Sequence, residues 1–244
     1  MIELKQIRKD YGERTVIKNQ SFSIKDKEFF VLIGPSGSGK TTLLKLINRL
    51  IDPTEGDVLL NGKSVMDYPL RKLRLNTGYV LQQIALFPNL TVAENIELVP
   101  IMKKWPKQIR KEQTTQLLSK VGLDPKIYAH RYPHELSGGE QQRVSIVRAI
   151  IGKPEILLMD EPFSALDPIS RRQLQDLIKT LHHELGLTIV FVTHNMEEAA
   201  YLGDRLCIMN HGEIIQTGTP DEIKIRPEND FVARFFSRGC DGFE

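Results

Sequence analysis

Short, unbroken apolar runs recur along the chain and predict strands that are buried on both faces. Four such runs cover residues 29–33, 79–81, 156–159 and 189–192. Runs of this length are typical of parallel strands that have helices packed on both sides of the sheet. Between them, helical patterns cover residues 41–50 and 170–185, and Gly186 follows the second as a natural helix terminator. This alternation predicts an α/β fold.

Two regions follow other patterns. Apolar positions in residues 2–7, together with residues 58–60 before Asn61-Gly62, predict strands and a tight turn in an N-terminal antiparallel part. Residues 85–151 contain no strand-like run, and we interpret them as a helical subdomain inserted into the core. The segment from residue 101 to 135 has eight basic and three acidic residues, which we interpret as a solvated helical surface rather than a membrane or nucleic-acid face.

The C-terminal tail begins with a helix start. Thr219, Pro220 and Glu222 have the spacing of a capping box with proline at the first helical position. We therefore expect one domain in three parts: an α/β core formed by residues 1–84 and 152–218, the helical subdomain at 85–151, and a helical tail at 219–244.

Composition excludes several classes of protein. The 244 residues include 33 Lys and Arg against 31 Asp and Glu, so the net charge of +2 gives no general reason to expect nucleic acid as a partner. The longest apolar run has five residues, far below the ~20 that a membrane helix needs. The N-terminus lacks the apolar region of a secretory signal. Cys207 and Cys240 are not spaced as metal ligands, and we expect a core residue and a tail thiol.

One segment has the full pattern of a phosphate-binding loop. It follows an apolar strand, opens a helix and matches G-x-x-x-x-G-K-[ST]. In such loops glycines let backbone N–H groups surround phosphate oxygens, and the helix N-terminus adds positive potential. Lys40 is expected to neutralise the β- and γ-phosphates, and the Thr41 hydroxyl is expected to bind Mg²⁺. The residues predicted to bind the nucleotide here are Gly34, Pro35, Ser36, Gly37, Ser38, Gly39, Lys40, Thr41 and Thr42.

A second segment supplies carboxylates. The apolar run at residues 156–159 delivers Asp160 and Glu161 at its carboxyl end. Adjacent residues of an extended strand point in opposite directions, so the two acids must have different roles. We assign Asp160 to the Mg²⁺ shell and Glu161 to orienting and deprotonating the attacking water.

The most discriminating pattern is Leu136-Ser137-Gly138-Gly139-Glu140-Gln141, which we call the signature segment. Ser137 and Glu140 have capping-box spacing, so a helix should start there with its positive end next to two glycines. The chain therefore has two helix N-termini that are suited to binding phosphate. A head-to-tail homodimer with two ATP molecules between opposite motifs would use both.

At this point the chain resembles the ATP-binding-cassette ATPases over residues 1–235, which implies a P-loop nucleotide-binding core with a mostly parallel sheet. The resemblance implies that Tyr11 stacks on adenine, although a plain strand-end tyrosine is the competing interpretation. It implies that Gln82 reaches Mg²⁺ and the attacking water, with the adjacent Gln83 as a competitor. It also implies that Asp167 belongs to a loop touching the opposite subunit and that His194 contacts the γ-phosphate.

Two classes of function compete on this sequence. One is the motor subunit of a membrane importer, and the other is a soluble cassette ATPase acting on DNA or ribosomes. A single cassette without a heptad run favours transport. A P-loop kinase or switch GTPase would leave the signature segment unexplained.

Finer resemblance points to importer ATPases for quaternary amines such as glycine betaine, carnitine and choline. It is carried by residues 78–84, 86–88, 121–125 and 132–136. The resemblance implies ATP and Mg²⁺ as cofactors, a second ATPase subunit, transmembrane permease subunits, an extracytoplasmic solute-binding protein or domain, and a peripheral position on the cytoplasmic face of the cell membrane. Ergothioneine and polar amino acids remain alternative solutes, because an ATPase does not touch its cargo.

Overall fold

The computed structural model describes residues 1–240, with side chains through residue 236, and these form two compact units. The first combines Met1–Leu73 with the chain from Gly186 onward, and the second is Arg74–Leu185. The strands are β1 Ile2–Tyr11, β2 Arg14–Ile24, β3 Phe29–Ile33, β4 Glu55–Leu60, β5 Lys63–Ser64, β6 Thr77–Val80, β7 Ile156–Asp160, β8 Thr188–Thr193, β9 Arg205–Asn210 and β10 Glu213–Gly218. The helices are α1 Lys40–Ile47, α2 Leu70–Leu75, α3 Val92–Met102, α4 Lys107–Lys120, α5 Pro125–Tyr128, α6 Gly138–Ile150, α7 Pro168–Leu185, α8 Met196–Leu202, α9 Pro220–Ile225 and α10 Asp230–Cys240.

The first unit contains the expected antiparallel part. Its strands lie in the order β2-β1-β4-β5, and Ile2 of β1 pairs with Ile24 on one side and Leu60 on the other. Asn61 and Gly62 both have positive φ, which is the backbone of a two-residue hairpin turn, so the predicted tight turn is confirmed.

A second sheet in the first unit has the order β10-β9-β3-β8. Strand β3 is parallel to both β8 and β9, and β10 is antiparallel to β9. Every residue of β3 and β8 is buried, which explains why their sequences are apolar without alternation.

The second unit combines two parallel strands with helices. Strands β6 and β7 pair from Thr77 with Ile156 to Val80 with Met159. A Cβ added at Gly78 would lie 2.6 Å from the carbonyl oxygen of Ala149, so β6 runs against the backbone of α6. The helices of this unit share a core made of Val92, Ile96, Leu118, Val121, Leu123, Leu136, Val144, Val147 and Ile151.

The predicted α/β class, with an antiparallel N-terminal sheet and a mostly parallel second sheet, is confirmed. Two boundaries differ from expectation. Strand β6 ends at Val80 rather than at Leu81, which is exposed. Helix α1 ends at Ile47 rather than at residue 50, because Arg49 adopts a positive φ that interrupts the helix. Helices α3 to α6 all lie between residues 92 and 150, and the division of the chain at residues 85 and 151 stays a prediction.

Cys207 is buried in the core as expected, whereas the Cys240 side chain lies outside the described residues. Within residues 1–240, no helix combines the length and the apolar character that crossing a bilayer requires.

Candidate functional site

The phosphate loop, residues 34–41, connects β3 to α1 in the first unit. Gly34, Gly37 and Gly39 all have positive φ, so the loop has the backbone that glycine permits. A Cβ at Gly34 would collide with the carbonyl oxygen of Met209, and one at Gly39 with the Ile17 side chain. These glycines are therefore required by close packing as well as by the turn.

Lys40 places a positive charge at the centre of this loop. Its ammonium nitrogen Nζ donates to the carbonyl oxygens of Gly34 at 2.7 Å and Pro35 at 2.9 Å, and the side chain is only 5% exposed. Ser36 and Gly37 form the exposed tip of the loop, while Thr41 and Thr42 lie half-buried on the first turn of α1.

Tyr11 and His194 lie at strand ends of the first unit. Tyr11 closes β1 with 49% of its surface exposed, and the Lys9 ammonium lies 5.1 Å from its ring centroid. His194 is exposed between β8 and α8. Both positions leave an aromatic ring accessible, as a nucleotide contact requires.

A hydrogen-bond network that sequence reasoning missed fixes the backbone around His194. The Thr193 hydroxyl donates to Glu198 Oε2 at 2.7 Å and accepts from the Asn195 N–H at 3.0 Å. Asn195 caps α8 by accepting from the Glu198 N–H at 3.0 Å. The cap spacing of Asn195 and Glu198 was the signal that could have revealed it.

In the second unit, the carboxyl end of β7 carries both predicted acids. Asp160 is 5% exposed, and Glu161 has φ of +43°, a left-handed backbone that costs a non-glycine residue of order 1–3 kcal/mol. Strand β7 ends at Asp160, so Glu161 lies in the turn beyond the extended backbone from which we inferred opposite directions for the two acids. The Gln82 amide Nε2 lies 3.4 Å from Glu161 Oε2, so the structure brings these two predicted residues together.

Tyr79 lies next to this acidic pair. Burial, and then the negative charge of Asp160, raise the pKa of its phenol, which keeps the side chain neutral. A neutral phenol beside Asp160 adds no charge to the predicted metal-binding carboxylate.

Asp167 has a structural role that its sequence context alone did not establish. Its Oδ1 accepts from the N–H groups of Ile169 at 3.1 Å and Ser170 at 3.0 Å at the start of α7. Hydrogen bonds from Ser170, first from its side chain, lower the pKa of Asp167. The exposed Asp167 therefore stays ionised while it fixes the first turn of the helix.

The signature segment starts α6 as predicted. Ser137 is the N-cap, Glu140 Oε2 accepts from the Ser137 N–H at 2.7 Å, and Ser137 Oγ accepts from the Glu140 N–H at 3.4 Å. Ser137 and Gly138 are exposed, so a helix N-terminus with its positive potential faces solvent. This arrangement can bind an anion.

Two further residues were missed from sequence. Tyr128 O–H donates to Glu140 Oε1 at 2.6 Å. Asn95 is fully buried and holds the loop before α3: its Oδ1 accepts from the Phe87 N–H at 2.8 Å, and its Nδ2 donates to the carbonyls of Phe87, Leu90 and Thr91 at 3.0–3.1 Å. Neither residue has a sequence signal, because both contacts join separate elements.

Comparisons with known proteins show which family, proteins and solved structures this chain is similar to. The family model described as ABC transporter matches residues 17–164. The glycine betaine/carnitine/choline transport ATP-binding protein OpuCA of Bacillus subtilis (strain 168) is 49% identical over 98% of this chain and 63% of its own length. The glycine betaine uptake system ATP-binding protein YehX of Escherichia coli (strain K12) is 43% identical over 98% of this chain and 77% of its own. The chain spans about three fifths of the length of OpuCA-type relatives.

Among solved structures, the ATP-binding cassette MJ0796 in a dimeric post-hydrolysis state bound to ADP and Pi is similar to this chain. It has a TM-score of 0.81 and 37% identity, and the match covers 90% of this chain and 99% of that one. The cassette cbiO1 from Clostridium perfringens, part of the cbiONQ transporter complex, has a TM-score of 0.84 with 27% identity over 93% of this chain and 91% of its own.

Proposed function

The chain belongs to the ABC transporter family, and from this premise we propose that it is the ATP-hydrolysing subunit of an importer for a quaternary-amine solute. The observation that carries the proposal is that one chain holds two helix starts suited to phosphate, at α1 and α6, together with a strand-end carboxylate pair. A kinase or a switch GTPase needs only the first of these helix starts.

The phosphate loop would bind the triphosphate. Backbone N–H groups of the loop and the ammonium of Lys40 would offset its negative charge, and Tyr11 would stack on adenine. Lys40 is already held by two carbonyl oxygens, so little side-chain entropy would be lost when it contacts phosphate.

The donor set fits Mg²⁺. The Thr41 hydroxyl, the Gln82 amide oxygen and the Asp160 carboxylate are hard oxygen donors, which this cation prefers over nitrogen and sulfur. When bound, Mg²⁺ would neutralise charge on the phosphates. The low exposure of Asp160 supports this role, because a buried carboxylate gains from a cation partner.

Glu161 would act as the general base. Its carboxylate would accept a proton from the attacking water, Gln82 would orient that carboxylate through its amide Nε2, and His194 would contact the γ-phosphate. Ser137, Gly138, Gly139 and Glu140 would complete the site of a second copy in a head-to-tail homodimer, with Asp167 at the same interface.

The apolar residue Phe87 is the candidate contact for a permease subunit. It is 53% exposed, while its backbone is fixed by Asn95 through two hydrogen bonds. The neighbouring Leu86 instead packs against the helical core, so the two residues have separate roles.

We expect Phe87→Ala to retain the ATPase activity of the isolated subunit and to weaken its association with the permease, because the lost side chain is exposed. Leu86→Ala is the matched control and should lower stability by about 2 kcal/mol with a smaller effect on association. The measurements are phosphate release, thermal unfolding and co-purification with the permease. Unchanged association in Phe87→Ala would remove this residue from the docking surface.

The function is tested by assaying the complex. Phosphate release by the subunit should rise with the cognate permease and stay unchanged with DNA, RNA or ribosomes. Vesicles that hold the complex, together with an extracytoplasmic solute-binding protein or domain, should import labelled glycine betaine, carnitine or choline. Stimulation by nucleic acid alone would favour the soluble class, and import of ergothioneine or a polar amino acid alone would change the solute.

A further inference from the structure

We propose that Tyr128 is a positioning residue for the signature segment: by holding the Glu140 carboxylate, it fixes the Ser137 N-cap that meets the triphosphate of a second subunit. The inference rests on the proposed function, since it concerns the same site. Tyr128 lies nine residues before Ser137 in α5 and reaches the start of α6 through its hydroxyl.

The contact is a relay of two hydrogen bonds through one carboxylate. The Tyr128 O–H donates to Glu140 Oε1 at 2.6 Å, and the Ser137 N–H donates to Glu140 Oε2 at 2.7 Å. Both are in the range of strong hydrogen bonds to an ionised acceptor. With each oxygen held from a different element, the carboxylate cannot rotate without losing one bond.

Two other helices of the chain show what the same cap looks like without this support. Glu94 at the start of α3 accepts from Thr91 alone, and Glu222 at the start of α9 accepts from Thr219 alone, within residues 1–240. All three are capping boxes of the same type. The additional tyrosine is therefore not needed to start a helix, which indicates a purpose specific to α6.

Tyr128 is itself held on two sides. Its half-buried ring packs against the helical core, and the Arg131 guanidinium lies 4.8 Å from the ring centroid. The backbone that follows is tied to α3, because the Ala129 and Arg131 carbonyls accept from the Ala93 and Val92 N–H groups at 3.0 and 2.8 Å. The hydroxyl thus comes from a fixed position, as a positioning group must.

The arrangement also addresses a charge problem. A carboxylate in the first turn of α6 would repel an approaching triphosphate if it turned towards the helix end. The hydrogen bonds of Glu140 to the Tyr128 hydroxyl and to the Ser137 N–H hold that charge in one place.

The test begins with Tyr128→Phe, which removes one oxygen and keeps the packed ring. Because a hydrogen bond to a charged group is lost, we expect kcat and ATP-driven dimer formation to fall about tenfold. ATP affinity of the monomer should be unchanged, because the phosphate loop is untouched. Tyr132→Phe is the matched control: this tyrosine is 41% exposed and stacks on His134.

A pH profile separates positioning from general structural damage. The hydrogen bond from Tyr128 is the first cause that holds the pKa of Glu140 below its usual value, and the Ser137 bonds and the Arg131 charge act in the same direction. Two other residues lie close to this part of α6. Arg143, one turn further along the helix, donates its hydrogen bonds to the Val121 carbonyl and to Gln173. Ser170 of α7, which faces Gly139, carries no charge. Because the ionised form is the one that holds Ser137, activity is lost as the pH falls through the pKa of Glu140. Tyr128→Phe raises that pKa, so the acid limb should move to higher pH.

Glu140→Gln provides the second arm. Its amide oxygen can accept from the Ser137 N–H while its amide nitrogen donates to the Tyr128 oxygen, so the cap is kept without a titrating group. We expect the acid limb to be the same in Glu140→Gln with and without Tyr128→Phe.

Several results would overturn the inference. It fails if Tyr128→Phe matches wild type and Tyr132→Phe in kcat, dimer formation and pH profile, or if the acid-limb shift persists in Glu140→Gln. Failure of the proposed function is distinguishable, because then the wild-type protein itself would not hydrolyse ATP. In that case the two hydrogen bonds through Glu140 can still be tested by following the Ser137 amide by NMR as the pH changes, in wild type and in Tyr128→Phe. An identical titration midpoint in the two proteins would reject the inference.

Discussion

Glu161→Gln should bind ATP with near wild-type affinity, hydrolyse it about 10²–10⁴ times more slowly, and accumulate as an ATP-bound dimer. The amide has almost the same shape as the carboxylate but cannot accept a proton from water. The left-handed backbone at residue 161 and the neighbouring Gln82 are unaffected by this change, so the loss falls on the chemical step. Single-turnover hydrolysis and size-exclusion chromatography with ATP measure the two effects.

Two further variants make this result specific. Glu155→Gln makes the same change at an exposed position just before β7 and should leave the rate unchanged. Lys40→Ala should lose ATP affinity and turnover together, since it removes the charge at the centre of the phosphate loop. Because Gln82 acts on Glu161, Gln82→Ala should add little to the defect of Glu161→Gln. Normal turnover in Glu161→Gln would show that this carboxylate is not the base.

Much of the fold followed from local patterns. Strands β3 and β8 have unbroken apolar runs because every one of their residues is buried. The Asn61-Gly62 turn was predicted correctly because few other residue pairs adopt positive φ twice. The end of β6 was placed one residue too far, since an apolar Leu81 continues the run although the chain has already turned.

At the candidate site, local structure was predicted where it depends on consecutive residues and missed where it depends on distant ones. The glycine-rich turn before α1 and the Ser137 cap are local, so spacing alone predicted them. Two contacts were missed because they join separate elements: the hydrogen bond from Tyr128 to Glu140 and the hydrogen bond from the Phe87 N–H to Asn95. A single sequence contains no periodicity that indicates such contacts. The network around Thr193 and Glu198 was predictable only in part. The cap of Asn195 on the Glu198 N–H has a recognisable spacing, whereas the hydrogen bond from the Thr193 hydroxyl to Glu198 does not.

The second large effect is expected from Gly139→Asp, which should abolish ATP-driven dimer formation while leaving the fold and ATP binding by the monomer intact. A Cβ at this position would lie 3.7 Å from Ser170, an ordinary contact, so the side chain can be accommodated. An aspartate at the second position of α6 is also favourable for the helix itself. The defect should therefore arise from repulsion of the triphosphate and not from misfolding.

The size of the effect follows from the charge. Two unit charges 4 Å apart repel by about 4 kcal/mol at an effective dielectric constant of 20, which corresponds to about a thousandfold weaker association. Gly139→Ala is the matched control, because it adds the Cβ without the charge and should dimerise nearly as well as wild type. Equal loss in the alanine variant would assign the defect to shape.

Mixing Gly139→Asp with Lys40→Ala then tests whether the site is shared between two copies. In a head-to-tail heterodimer one composite site combines both defects, and the other combines an intact phosphate loop with an intact signature segment. Each heterodimer then has one working site of two, so the recovered rate should stay at or below about half of the wild-type rate if the sites are independent. Full recovery would contradict the composite site. A mixture without ATP hydrolysis would also contradict the composite site, provided that the same mixture with Glu161→Gln added to both chains does not retain ATP in a dimer.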